Sequence, residues 1–120
     1  MNGGIPRGTL RRSAPNLPGK TDAWRRFTDE LKGPQRAAFK ESRRRLGVRE
    51  QTWLQTTPMG DLVVVTLEGD KPAEAFAAFA ASDDAFTTWF KEQVLDVHGV
   101  DLSQPPSGPL PELVIDSAAG

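Results

Sequence analysis

His98 is the single histidine of this 120-residue chain and so its one side chain with an unperturbed pKa near neutrality. That chemistry suits a general base or a haem ligand. His98 also stands just before Gly99, at the end of an apolar-periodic stretch, where a donor or cation satisfies terminal helix carbonyls. Both roles fit the position. Gln93 lies on the same stretch. At about 100° per residue it falls amid Phe86, Trp89, Phe90 and Val97. A polar amide on a core-facing stripe needs a partner, either the backbone or a ligand. His98 and Gln93 are therefore the candidate catalytic pair.

Aromatic residues supply candidate walls for a ligand. Trp53 and Gln55 share one face of a strand, with Thr57 beyond, and Trp24, Phe27, Phe86, Trp89 and Phe90 come from helical segments. An apolar pocket with a few polar groups is the usual small-molecule site, although a plain aromatic core has the same composition. Asp83-Asp84 has the makings of an acid–base pair, but carboxylates at a helix start are ordinary. Cysteine is absent and histidine occurs once, which excludes thiolate and multi-histidine metal sites. No metal or other cofactor is expected. Nucleophile-elbow, P-loop and dinucleotide-binding motifs are also missing.

Charge is unevenly placed. Residues 1–49 hold 13 Lys/Arg against 4 Asp/Glu, and residues 50–120 hold 2 against 12. A basic face for an anionic partner is one reading. The other is two solvated faces of opposite sign that attract each other within or between subunits. The pI of 5.8 is far from that of a nucleic-acid binder, so no nucleic-acid partner is expected. No apolar run approaches the roughly 18 residues of a membrane span, and residues 1–12 lack the apolar core of a secretory signal. A cytoplasmic protein with no membrane partner is the expectation.

These side chains need elements to hold them. Hydrophobic content of 38% and charged content of 26% are those of an ordinary globular chain, and its length fits one domain. Residues 9–14 form a weak first strand, crowded by Arg11 and Arg12. Thr21 is the expected N-cap of a helix carrying Trp24, Phe27 and Leu31 on one face. Gly33-Pro34 breaks it, and a second helix runs over 34–46. There Arg43, Arg44 and Arg45 favour the C-terminal dipole, and Gly47 is the cap. Residues 50–57 and 61–68 make a hairpin around Pro58-Met59-Gly60. The second strand is apolar or β-branched on both faces, which predicts cover on both. Asp70 is expected to cap a helix over 73–81, a further helix runs from Ser82-Asp83-Asp84 to His98, and residues 101–111 are a Pro-rich connector. Residues 112–116 (Glu-Leu-Val-Ile-Asp) complete the pattern as a last strand. The order predicts an α+β, ferredoxin-like βαββαβ domain, an antiparallel sheet with helices on one face. Its expected bounds are an N-terminal segment at 1–17 with the weak strand, a domain at 18–116 and a tail at 117–120.

Certain residues resemble a known group. Pro18-Gly19-Lys20-Thr21-Asp22-x-Trp24, Thr57-Pro58-Met59-Gly60-Asp61, Ala75-Phe76-x-x-Phe79-x-x-Ser82-Asp83, Phe86-x-x-Trp89-Phe90 and Val97-His98-Gly99-Val100-Asp101-Leu102 together resemble an uncharacterised bacterial family of the dimeric α+β barrel superfamily. Antibiotic-biosynthesis monooxygenases and stress-responsive barrel proteins are its distant relatives. The resemblance covers roughly residues 18–102. It implies a homodimer joined by sheet-to-sheet packing, with a pocket between sheet and helices in each subunit. It also implies a small-molecule ligand, with metal-free oxygenase, isomerase or cyclase chemistry on an aromatic or polyketide-like compound. The alternative is a non-catalytic dimeric assembly, or stress-related protein, with no substrate. The Asn-Trp-His set associated with the cofactor-free oxygenases of that superfamily is not recognisable at its spacing.

Overall fold

The computed structural model describes residues 8–104 and 111–118. The first seven residues, most of the Pro-rich connector and the last two residues lie outside the described residues. Strand β1 (Gly8–Pro15) leads through a short turn into helix α1 (Thr21–Lys32), followed by α2 (Arg36–Leu46). The hairpin of β2 (Val48–Thr57) and β3 (Gly60–Gly69) comes next, then α3 (Pro72–Ala81) and α4 (Ala85–His98). The protein is thus an α+β fold with a three-stranded antiparallel sheet in the order β1-β3-β2.

The weak first strand forms along its full length, pairing with β3 from Gly8↔Gly69 to Pro15↔Leu62. The hairpin pairs β2 with β3 from Val48↔Gly69 to Thr57↔Gly60. Side chains alternate across the sheet, so these registers define two faces. Arg12, Val65 and Thr52 form one row of the inner face, and Ala14, Val63 and Leu54 form the next. Ser13, Val64 and Trp53 form a row of the outer face. The inner face packs on the helices: Trp24, Phe27, Val63, Phe79, Phe90 and Val97 are the buried centre, with Leu54 and Val65 against it.

The helix boundaries follow local chemistry. Asp84 caps α4 by accepting from the Thr87 amide, and Gly47 and Gly99 end α2 and α4 in the left-handed conformation that glycine adopts without strain. Gly69 is needed for a different reason, because a Cβ there would overlap the Gly47 carbonyl oxygen. Two expected caps are corrected. Thr21 lies inside α1, where its hydroxyl accepts from Asn16 and donates to Asp61 Oδ2 at 2.6 Å, so it has no capping role. Asp70 precedes the cap position of α3, which Lys71 occupies without a side-chain bond.

The last strand is corrected as well. Residues 112–116 have no regular structure and pair with no strand, and Leu113, Val114 and Ile115 are 75, 82 and 85% exposed. β-propensity reports fit to a half-buried pleated surface. Without such a surface, pairing does not repay the ordering of five residues. Among the described residues the helices lie over the inner face of β3. On the outer face Leu62 and Val64 stay partly exposed, and Trp53 beside Val64 is 48% exposed.

Candidate functional site

Between the inner sheet face and the helices lies a cavity of about 130 Å³. Its walls are mostly apolar, with Val63 and Val65 on the sheet side and Trp24, Phe27, Phe79 and Phe90 on the helical side. Ala14 on the sheet side and Ala75 on the helical side are small and leave this space, and the rings of the helical side meet one another edge-on. Phe90 lies edge-on to Phe27 at 5.0 Å and to Phe79 at 5.4 Å between centroids. Such rigid ring contacts hold their spacing and cannot collapse onto the sheet.

The charged and titratable groups of the cavity are Arg12, Arg43, Glu50 and His98, and Ser13, Thr28 and Thr52 add hydroxyls to its lining. Arg43 projects from α2 beneath three phenylalanines, with its guanidinium 4.8–4.9 Å from the centroids of Phe39, Phe79 and Phe90. Its Nε donates to Glu50 Oε1 at 2.8 Å and an Nη donates to Ser42 Oγ at 2.9 Å. The second Glu50 oxygen accepts from Thr52 at 3.3 Å. The Arg43 and Glu50 side chains are 9 and 8% exposed. They meet because Gly47 is the one residue between α2 and β2, so the chain folds straight back.

His98 lies at the other end of the cavity. Its Nδ1 is 3.1 Å from the Pro15 carbonyl oxygen. A carbonyl only accepts, so this bond places the proton on Nδ1 and leaves Nε2 as the acceptor. Burial lowers the His98 pKa from its usual 6.5, with the Pro15 hydrogen bond opposing. The imidazole is therefore neutral at pH 7 and able to accept a proton.

The sequence-derived candidates separate in space. Trp24, Phe27, Phe90 and His98 line the cavity. Phe86 and Trp89 form the outer part of the aromatic layer, 5.8 Å apart. Gln93 faces a surface groove between α1 and α4, with Trp89, Arg26 and Asp96, and does not share the cavity with His98. Trp53 and Gln55 stand on the outer sheet face, away from the cavity. Asp84 acts as a cap, its pKa lowered by bonds from the Thr87 hydroxyl and amide.

Sequence reading missed Arg12, Arg43 and Glu50, although their signals were present. Arg43 stands four residues after Phe39 and three before Leu46, on the apolar face, whereas Arg44 pairs with Glu41 in solvent. Arg12 alternates with Leu10 and Ala14, and Glu50 with Val48 and Thr52, on the strand positions that face inward. The charge halves meet where Arg43 pairs with Glu50 inside and where Lys20 pairs with Asp96 at 2.8 Å on the surface. Among the described residues no three His, Asp or Glu side chains gather as a metal site requires, and no helix is long and apolar enough to cross a membrane. No protein family, curated protein or solved structure matches the chain.

Two predictions follow from this geometry. Glu50→Ala leaves the Arg43 charge buried and unpaired, which costs about 3–5 kcal/mol. Arg43→Met with Glu50→Leu recovers most of that loss, as urea denaturation of the three proteins measures. For His98, the folded protein binds the imidazole proton more weakly than the unfolded chain. Its contribution to stability is therefore full above about pH 6.5 and is lost as pH falls toward the lowered value. His98→Gln flattens the change in urea midpoint between pH 7.5 and pH 5, a window above the range in which Asp84 titrates.

Proposed function

We propose that the protein binds a small, largely apolar molecule in the cavity between sheet and helices, as a homodimer joined through the outer sheet faces. The cavity carries the first half of this reading. Its volume of about 130 Å³ is close to the ~150 Å³ of an apolar cavity in another protein that takes up benzene. One aromatic ring or a short branched chain fills it. The neutral His98, its Nε2 free to accept a proton, is the group for general-base catalysis. An isomerase, cyclase or oxygenase working without a metal would draw on it, in a site of the dimeric α+β barrel kind that the sequence resembles.

The outer sheet face supports the second half. Trp53 sits directly across from Val64, beside Leu62, and no described helix lies over them. An antiparallel sheet tolerates water on one face, but this apolar patch on the central strand is the type of surface that subunits bury. A second copy offers the same patch, as a two-fold interface requires.

Two measurements test these halves separately. Titration of the labelled protein with indole, followed by amide chemical shifts, is expected to move Val63, Phe79 and Phe90 together. Ala75→Leu, which fills the space from α3, is expected to abolish the response. An indole response that survives Ala75→Leu places the binding elsewhere. Light scattering is expected to return twice the 13.1 kDa chain mass for the native protein and the single mass for Trp53→Glu, whereas a native protein at 13.1 kDa removes the dimer.

A further inference from the structure

The charges that line the cavity do not cancel. Arg43 is neutralised by Glu50 at 2.8 Å, and His98 is neutral at pH 7. Among the described residues Arg12 has no counterpart. Its side chain leaves β1 toward the helices between Leu10 and Ala14, and its guanidinium lies 5.0 Å from the centroid of the Phe76 ring. Across the sheet its row continues with Val65 and Thr52, and the α3 residues at the cavity, Ala75, Phe76 and Phe79, carry no charge. Among the described residues no carboxylate lies within ion-pair distance of it. Burial lowers its pKa, and no neighbouring charge works against that effect.

An arginine holds its proton at any accessible pH. A half-buried guanidinium without an anion therefore costs free energy that a leucine at the same place would not. The β1 register leaves no escape by sliding, because a shift of one residue would put Arg11 inside instead and turn Leu10 and Ala14 outward. The cation–π contact with Phe76 recovers part of the cost, but a ring face accepts none of the five N–H bonds that a guanidinium can donate to an oxyanion. Those donors, next to an apolar space with room for one ring, match a carboxylate carried on an aromatic or branched-alkyl body.

We propose that Arg12 is the anion anchor of the cavity and that the natural ligand is a small organic monoanion, a carboxylate on an apolar body. This rests on the cavity being a ligand site, and it adds the ligand's charge and the residue that reads it. The fork geometry of the guanidinium suits a bidentate carboxylate. Arg43 and Glu50 cancel each other on the same cavity, so Arg12 leaves it one net positive charge, which one carboxylate balances.

Benzoate and benzamide have nearly the same shape and differ in charge, which makes them the probes. Titrations at pH 7.5 and low salt are expected to give benzoate a Kd at least about tenfold below that of benzamide, with the ratio shrinking as salt rises. Arg12→Met removes the preference and binds both probes alike. That variant is expected to fold with a Tm no lower than the native protein, because it replaces an unpaired charge with an apolar stem of similar length. Equal affinities in the native protein, or a preference that persists in Arg12→Met, overturn the anion anchor and leave the cavity as a binding site for neutral compounds. If neither probe binds and indole does not bind either, the cavity reading falls and the anchor falls with it.

Discussion

The Arg43–Glu50 pair fixes more of this molecule than any other contact. Its two charges come from elements separated by one glycine, and they lie out of water beneath three phenylalanines from α2, α3 and α4. Desolvating a guanidinium and a carboxylate costs several kcal/mol per ion, recovered only when geometry and further hydrogen bonds are good. Here Ser42 and Thr52 supply those bonds. The consequence is positional. With Arg43 held to β2, the three rings around it have one arrangement, and Phe90 becomes the point where Phe27, Phe39, Phe79 and Phe86 meet. A pair of leucines would fill the same volume without dictating where the rings stand.

The cavity is a by-product of that arrangement. Rings that stack on each other at fixed separation form a roof, and the small side chains opposite them cannot reach it. At one end the roof is pinned by the ion pair. At the other, α4 is tied to the end of β1 by His98 on the Pro15 carbonyl and by the Leu17 amide on the Val97 carbonyl at 2.8 Å. An apolar space supported at both ends by hydrogen-bonded polar groups keeps its shape without a ligand, and pre-formed sites bind with less ordering cost. The sheet thus has two unlike faces, one enclosing the cavity under aromatic rings and the other presenting Trp53, Val64 and Leu62 to the outside.

Much of the scaffold was legible in the residues. The hairpin follows from apolar and β-branched runs on either side of Pro58-Met59-Gly60, and the helix ends at Gly47 and Gly99 follow from glycine's freedom at positive φ. Trp24, Phe27 and Phe90 were legible as a wall because helical periodicity places them on one face. Gln93 shows the limit of that projection, since a helix between two neighbours has two buried flanks. One flank of α4 meets the sheet, and the other meets α1 at the surface groove. Thr21 and Asp70 show another limit: Thr21 spends its hydroxyl on Asp61, and Asp70 stands one residue before the cap position.

Periodicity, glycine placement and the absence of cysteine are properties of short stretches, so the sequence by itself determined the α+β class, the hairpin and most helix ends. Tertiary structure decided which charges go inside. Arg43 and Arg44 are chemically identical neighbours, yet a rotation of about 100° per residue puts one among phenylalanines and the other in water. It also decided that Trp53 and Gln55 face away from the cavity, because strand parity becomes inside or outside only when helices choose a face. The same holds for residues 112–116, whose strand-like composition becomes a strand only against a surface able to bury Leu113 and Ile115. Burial is a property of the assembled chain, and it is burial, full for Arg43 and partial for Arg12 and His98, that makes this cavity chemically distinctive.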